Sequence, residues 1–391
     1  MPVPSRKNSP IKISLRLATS TSTSLALARP LAAVPRRGRT CRRRPARRAA
    51  APRRRRDRCP WSASRRPTGS RRSSCARFGT PSRLPGWKIY TVEYSHLFHE
   101  QVYLYGGHVT SWKDEDQELL FVSNKAIFKP PKAIRGGIPI CFPQFSNFGH
   151  LEAHGFARNR TWTVDTDPPP FPVPFSSRAY IDLILKPTEE DLKIWPHSFE
   201  YRLRVALGPG GDLMLTSRIR NTSADGKSFS FTFAYHTYFS ISDISEIRVE
   251  GLETLDYLDN LQDRARFTEQ GDAIVFESEL DRIYLGTPSK IAIIDHEKKR
   301  TFVVRKAGLP DAVVWNPWDK KSKAMSDFGD DEYKRMVCVE AAAIEKPITL
   351  KPGEEWTGKL ELSAVPSSYY SGQLDPDRVI QDSVIPEDSI S

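Results

Sequence analysis

Tyr201-Arg202-Leu203-Arg204-Val205-Ala206-Leu207 sets Tyr201, Leu203, Val205 and Leu207 on one parity, with Arg202 and Arg204 between them. Successive side chains of an extended strand point to opposite faces, so this period of two describes a strand with one face buried and one in water. Phe229, Phe231 and Phe233 repeat the pattern against Ser230 and Thr232. Just downstream of the first run, Gly208-Pro209-Gly210-Gly211-Asp212 separates it from the apolar stretch Leu213–Ile219 and reads as a hairpin turn. No helix start and no Lys-Ser/Thr pair follows these glycines, which argues against a phosphate cradle.

The same texture extends outward in both directions. Val102–Leu104, Leu119–Val122, Ala179–Leu185, Ser228–Ala234, Glu246–Val249, Ala273–Phe276, Lys290–Asp295, Thr301–Val304, Ala312–Trp315 and Thr357–Leu362 read as strands, separated by Gly, Pro, Asp and Asn. About a dozen strands, with no long 3.6-residue apolar period, predict an all-β fold, a large antiparallel sandwich or barrel. The βα alternation and glycine fingerprint of a dinucleotide-binding domain are missing. Asp167–Pro174, with its prolines, reads as a stiff loop, and Glu345-Lys346-Pro347 as a turn.

Charge divides the 391 residues into unlike parts. Residues 1–87 hold 24 Lys and Arg against the single acid Asp57, net +23, while the remainder holds 35 basic and 46 acidic residues, net −11. The whole-chain net charge of +12 therefore says nothing about the partners of the body. The head carries Arg42–Arg44 and Arg53–Arg56 among Pro, Ser and Ala, too little apolar area to offset the entropy of ordering it, and is expected to be disordered. Aromatics are nearly absent from it and no base-reading module surrounds it, so nucleic acid is not the expected partner. Its first thirty residues, with Lys7, Lys12 and Arg16 and no acid, read as an organelle transit peptide. A genuine transit peptide implies the chloroplast, and a spurious or retained one the cytoplasm. The organisation expected is 1–87 as an extension, 88–375 as the catalytic domain and 376–391 as a polar acidic tail.

No apolar stretch of 18 residues occurs, so no membrane span is expected. Three of the five cysteines lie in the head, which leaves Cys141 and Cys338 in the body without a disulfide framework or a zinc pattern. Nothing demands more than a monomer.

Three segments concentrate polar groups suited to chemistry. The first is Arg135-Gly136-Gly137-Ile138-Pro139-Ile140-Cys141-Phe142-Pro143-Gln144-Phe145, followed by His154-Gly155-Phe156-Ala157-Arg158-Asn159. Glycines and prolines around Arg135 and Arg158 predict rigid loops, and guanidinium groups held there suit an oxyanion. A single arginine is more commonly a surface ion pair, and Lys129 and Lys132 nearby read equally as solvated groups. The second is Tyr235-His236-Thr237-Tyr238-Phe239, where His236 ends the phenylalanine strand. Histidine is the side chain most easily tuned to donate a proton near neutrality, although a lone one at a strand end is ordinarily structural. The third is Val337-Cys338-Val339-Glu340, whose acid ends an apolar run and is a candidate for a raised pKa. Asp281, in Asp281-Arg282-Ile283-Tyr284, offers a further acid that could orient a hydroxyl.

Taken in order, the Arg/Gly/Pro loop, His-Gly-Phe-Ala-Arg, His-Thr-Tyr-Phe, Asp-Arg-Ile-Tyr and the glutamate after Val-Cys-Val resemble the aldose 1-epimerase superfamily over residues 90 to 375. The resemblance is greatest to its glucose-6-phosphate 1-epimerase branch, in particular the plant-like members. It implies a large β-sandwich of the galactose mutarotase type and interconversion of the α and β anomers of a hexose 6-phosphate. It assigns His236 and Glu340 as catalytic residues and Arg135, Arg158 and Asp281 as substrate-binding residues, with His154 lining the pocket. Many relatives place a substrate-contacting glutamine just before the His-Gly pair; here that residue is Ala153. Anomer exchange involves neither redox change nor group loss, so no cofactor or metal is expected.

Overall fold

The computed structural model describes residues 77–78, 89–93, 98–168, 179–208 and 210–367. Apart from the two-residue strand Arg77–Phe78, the basic extension lies outside these residues, with its transit-peptide reading, as do most of the Pro-rich stretch and the tail from 368.

The alternating run that predicts a strand lies in Phe199–Leu207, which pairs antiparallel with Leu213–Asn221. Leu207 faces Leu213, Val205 faces Leu215 and Tyr201 faces Ile219, so the apolar residues of both strands fall on one face. Gly208 N–H donates to Asp212 O at 2.8 Å and closes the hairpin. Around this hairpin grows an eight-stranded antiparallel sheet in the order Ile247–Glu250, Lys290–Asp295, Arg300–Ala307, Glu355–Pro366, Leu213–Asn221, Phe199–Leu207, Ala179–Leu185 and Thr163–Val164. This is the back sheet.

The front sheet runs Ala265–Thr268, Asp256–Asp259, Leu280–Tyr284, Asp311–Asn316, Met336–Leu350, Phe229–Tyr235 and Ile140–Cys141, with Tyr238–Ser240 also paired to Met336–Leu350. Its inner face contributes Phe229, Phe231, Phe233, Tyr235, Val337, Val339 and Ala341 to one core with Tyr201, Leu203, Val205, Leu213 and Leu215 of the back sheet. Two antiparallel sheets closed over a shared apolar core make a β-sandwich. A third, five-stranded sheet from Arg77–Phe78 to Gln117–Glu118 adds Val102, Val109 and Trp112 to the same core.

The structure corrects several sequence expectations. Glu345-Lys346-Pro347 is not a turn between elements but lies inside Met336–Leu350 as a bulge, where Phe231 faces Ile348 while Phe233 faces Ala343. Proline cannot donate to a ladder, and the bulge removes that demand. The Asp311 carboxylate caps the irregularity by accepting from Ile344 N at 2.7 Å and Glu345 N at 2.9 Å. Ala273–Phe276 is no strand; only Ile274 makes a bridge, to Val249. Leu119–Val122 is likewise mostly isolated bridges beyond the two-residue strand Gln117–Glu118. His108–Asp114, Asp256–Asp259, Ala265–Thr268 and Leu280–Tyr284 are strands that the apolar pattern did not reveal. Among the described residues there are two short α-helices, Glu189–Ile194, opened by a Thr188/Asp191 capping box, and Trp318–Ala324.

Candidate functional site

Strand parity decides where the candidates point. In Met336–Leu350, Val337, Val339 and Ala341 face the core, so Cys338 and Glu340 lie on the opposite face of the front sheet. Tyr235 faces Ala341 across the ladder, and three residues later Tyr238 faces Cys338. The ladder is interrupted at His236 and Thr237, but the pairs on either side keep the same offset, which brings His236 beside Glu340. On the other side Glu340 faces Val313, and one row along Cys338 faces Trp315, which faces Asp281. Two adjacent rows thus carry His236 and Glu340, then Tyr238, Trp315 and Asp281, all on one face.

The side chains follow the backbone. His236 Nδ1 lies 3.0 Å from Glu340 Oε1, with both side chains nearly inaccessible to water. The approach is close but not aligned as a hydrogen bond, and His236 Nδ1 and Glu340 Oε2 have no hydrogen-bond partner among the described residues. The imidazole is clamped by stacking on Tyr238 (4.7 Å, 14° between planes) and by the edge of Trp315 at 5.7 Å. Its backbone N–H donates to Pro139 O at 3.0 Å, tying it to the arginine/glycine loop.

That loop needs its glycines. A Cβ on Gly137 (φ +65°) would fall 2.2 Å from Val109 O, and one on Gly136 (φ +113°) 2.4 Å from Phe121 O. The close approach leaves Arg135 held by Asp327, through Nε and Nη2 at 3.3 Å each, and by Tyr238, whose hydroxyl accepts from Nη1 at 3.2 Å. Arg135 is therefore ion-paired, as the ordinary reading of an arginine anticipates, yet its partner Tyr238 is the ring that stacks on His236. Arg158 sits in the 3₁₀ turn Ala157–Asn159 and donates from Nη2 to Ala153 O at 2.8 Å. Ala153, which lacks the family's glutamine side chain, contributes its carbonyl to this contact. Arg158 Nε is buried without a hydrogen-bond partner among the described residues.

His154 joins the group: its ring centroid is 5.5 Å from that of His236. Ser146 N–H donates to His154 Nδ1 at 3.3 Å, which leaves the proton of the neutral ring on Nε2. Asp281 accepts from Asn260 Nδ2 at 2.7 Å and lies 3.9 Å from Lys321 Nζ. All six sequence candidates are thereby brought to one region, whereas Lys129 and Lys132 stay on an exposed loop.

Burial dominates the electrostatics. It pushes the Glu340 carboxyl well above the usual carboxylate range, with Asp281 adding to the rise and Arg158 opposing it. It pushes His236 well below the usual imidazole range, helped by His154, Arg135 and Arg158. His154 is lowered to about 3 by burial, Arg158 and Arg135. Asp281 is raised by burial against the Asn260 hydrogen bond and Lys321. Opposite shifts on Glu340 and His236 leave the pair holding one proton between them, an arrangement able to accept a proton at one atom and donate it at another.

Tyr238, Trp315, Asp327 and Asn260 escaped the sequence reading. Tyr238 shares parity with His236 and was legible in His-Thr-Tyr, but Asp327 comes from an irregular loop after the helix and carries no signal of its own. Among the described residues no group of three or more His, Cys, Asp or Glu side chains is placed to hold a metal ion. No described helix is long and apolar enough to cross a membrane.

Comparison with known proteins adds the lineage. The aldose 1-epimerase family profile matches residues 88–363. The chain belongs to the aldose 1-epimerase family. Within it, the chain is 76% identical over 281 residues to a provisionally named glucose-6-phosphate 1-epimerase of Cenchrus ciliaris, covering 72% of this chain and 85% of that one. A provisionally named glucose-6-phosphate 1-epimerase of Escherichia coli K12 is 34% identical over 242 residues, 61% of this chain and 78% of that one. Among solved structures, a provisionally assigned mutarotase of Salmonella typhimurium superposes with a TM-score of 0.65 at 28% identity, over 73% of this chain and 92% of that one. The sandwich described above is thus the galactose mutarotase-like fold of this aldose 1-epimerase family.

Proposed function

We propose that this chain interconverts the α and β anomers of a hexose 6-phosphate, D-glucose 6-phosphate first among them, using Glu340 and His236 as its acid–base pair. The observation that carries the reading is the 3.0 Å approach of His236 Nδ1 to Glu340 Oε1 in a buried row flanked by Asp281, Arg135 and Arg158. The high identity to the Cenchrus ciliaris relative supports the phosphorylated substrate.

Ring opening requires one proton to leave the anomeric hydroxyl and one to reach the ring oxygen. With the pair's one proton passed from Glu340 to His236, Glu340 takes the O1 proton, His236 gives its proton to O5, the C1–O5 bond breaks and C1=O1 forms. Rotation about C1–C2 turns the aldehyde over, and closure on its other face reverses both transfers. The pair begins and ends each turnover with the same proton count. Each well-placed acid or base contributes a factor of ~10²–10⁴. Asp281, fixed by Asn260, is suited to accept from a sugar hydroxyl, and Arg135 and Arg158 to face the phosphate. We place the catalytic unit at residues 88–375, with the basic extension and the acidic tail outside it.

Saturation-transfer NMR of anomer exchange, run on glucose 6-phosphate and glucose side by side, tests the proposal. Acceleration of the phosphorylated sugar well beyond the neutral one is expected. No acceleration of either sugar would remove the enzymatic reading, and equal acceleration of both would remove the phosphate.

A further inference from the structure

A phosphate monoester near neutrality carries about −1.5 to −2 charges and three acceptor oxygens, and the two arginines beside His236 are already partly engaged. Arg135 spends Nε and Nη2 on Asp327 and Nη1 on Tyr238, while Arg158 spends Nη2 on Ala153 O. A third guanidinium stands at the edge of the same region. Arg264 is exposed and lies 4.1 Å above the ring of Phe148. No carboxylate pairs with its side chain among the described residues.

Its position ties it to both walls of the site. On one side Phe148, itself 39% exposed, packs on Phe145 at 6.2 Å. Phe145 meets the edge of His154 at 5.2 Å, and His154 is the neighbour of His236. On the other side Arg264 closes the tight loop that begins at Asn260, the residue that holds Asp281. Asp259 organises this loop: its side chain accepts from Leu261 N and Gln262 Nε2 at 2.9 Å each, and its carbonyl from Arg264 N at 2.8 Å. Asp263 and Arg264 both take left-handed backbone conformations (φ 51° and 62°), which side-chain-bearing residues adopt only when their surroundings enforce them. The loop therefore aims Arg264 rather than leaving it to wander.

Stacking uses the face of a guanidinium and leaves its in-plane N–H donors available. From these placements we infer that Arg264, seated on Phe148, is a rim anion site that reads the substrate's phosphate, making it a specificity-determining residue of the same reaction. The inference rests on the hexose-phosphate reading above. It also explains why a large aromatic stands exposed on the 146–150 loop: Phe148 is the platform that fixes the cation.

The test compares full-length wild type with Arg264→Ala, Arg264→Lys and Phe148→Ala by NMR anomer exchange across glucose 6-phosphate concentrations. Glucose serves as the neutral substrate and inorganic phosphate as an inhibitor. Losing a charge-assisted contact at an exposed rim should raise KM for glucose 6-phosphate roughly five- to tenfold in Arg264→Ala, with kcat altered less than about twofold, and weaken phosphate inhibition in parallel. Arg264→Lys, which keeps the charge but not the planar fork, should fall between wild type and Arg264→Ala. Phe148→Ala should raise KM about threefold by unseating the cation. KM and phosphate inhibition of Arg264→Ala within about 1.5-fold of wild type, or an equal loss on glucose, would overturn the rim site while leaving the hexose-phosphate reading intact. A wild type that fails to exchange glucose 6-phosphate would overturn both.

Discussion

Glu340→Gln separates catalysis from stability in a single substitution. The glutamine keeps the size of the carboxyl and its place opposite His236 but cannot take up a proton, so the base is lost while the row stays packed. Removing a general base costs about 10²–10⁴ in rate, or about 3–5 kcal/mol of transition-state stabilisation. Stability should move the other way. Burial raises the Glu340 pKa above its ordinary value of 4.5, so the folded chain keeps a proton that the unfolded chain surrenders as pH rises. A raised carboxyl therefore costs stability above about pH 4.5, and the cost grows with pH until the folded group ionises. The cost grows by up to ~1.4 kcal/mol per pH unit between pH 4.5 and the pH at which the folded group ionises. Glutamine carries no such cost, so the variant should match wild type near pH 4 and become progressively more stable toward pH 7. Denaturant unfolding between pH 4 and 8, beside the exchange assay at pH 7, reads both quantities. A variant that retains exchange would refute the base assignment. One that is less stable than wild type at pH 7, by an amount independent of pH, would refute the buried neutral carboxyl and require an ionised glutamate paired to His236.

Three further perturbations probe other parts of the site. Arg158→Ala should lower exchange of glucose 6-phosphate by about 10–100-fold, the worth of a charged hydrogen bond, and lower glucose exchange far less; equal losses in the NMR assay would remove Arg158 from phosphate recognition. His108 is fully buried, its Nε2 2.7 Å from Gly136 O, and burial lowers its pKa to about 4. A lowered histidine contributes stability above pH 6.5 that is lost as pH falls toward about 4, so the stability of wild type relative to His108→Gln should shrink by about 1.4 kcal/mol per unit across that window, as measured by pH-dependent unfolding. Gly137→Ala combines a left-handed φ with a 2.2 Å clash against Val109 O and should cost at least about 2 kcal/mol in thermal or denaturant unfolding. A near-neutral result would mean the loop can move away from that strand.

Part of the back sheet was legible because Ala179–Leu185, Phe199–Leu207 and Leu213–Asn221 obey one rule, an apolar face against a wetter one. The front sheet was harder for a physical reason. Met336–Leu350 is buried on both faces through its first nine residues, so Met336–Ile344 reads as an apolar run interrupted by Glu340, with no period to detect. Asp256–Asp259 and Leu280–Tyr284 carry acids within short strands, and composition alone hides them. The site inherits this asymmetry. Sequence could name His236 and Glu340 as suitable residue types, and parity within each segment could turn each toward a face, but pairing is a property of two strands about a hundred residues apart. Register supplies what neither segment contains: Tyr235 opposite Ala341 and Tyr238 opposite Cys338 bracket the gap in the ladder and bring His236 beside Glu340. The bulge at Ile344–Pro347 lies just beyond this match, so the ladder absorbs its irregularity on the far side of Ala343 and keeps the register true where the two proton-carrying groups must meet. Lengthening or shortening the chain by one residue between Ala341 and Ala343 would leave both side chains in the molecule and turn Glu340 to the core face, which is why a motif of separate residues becomes a site only through the strand that aligns them.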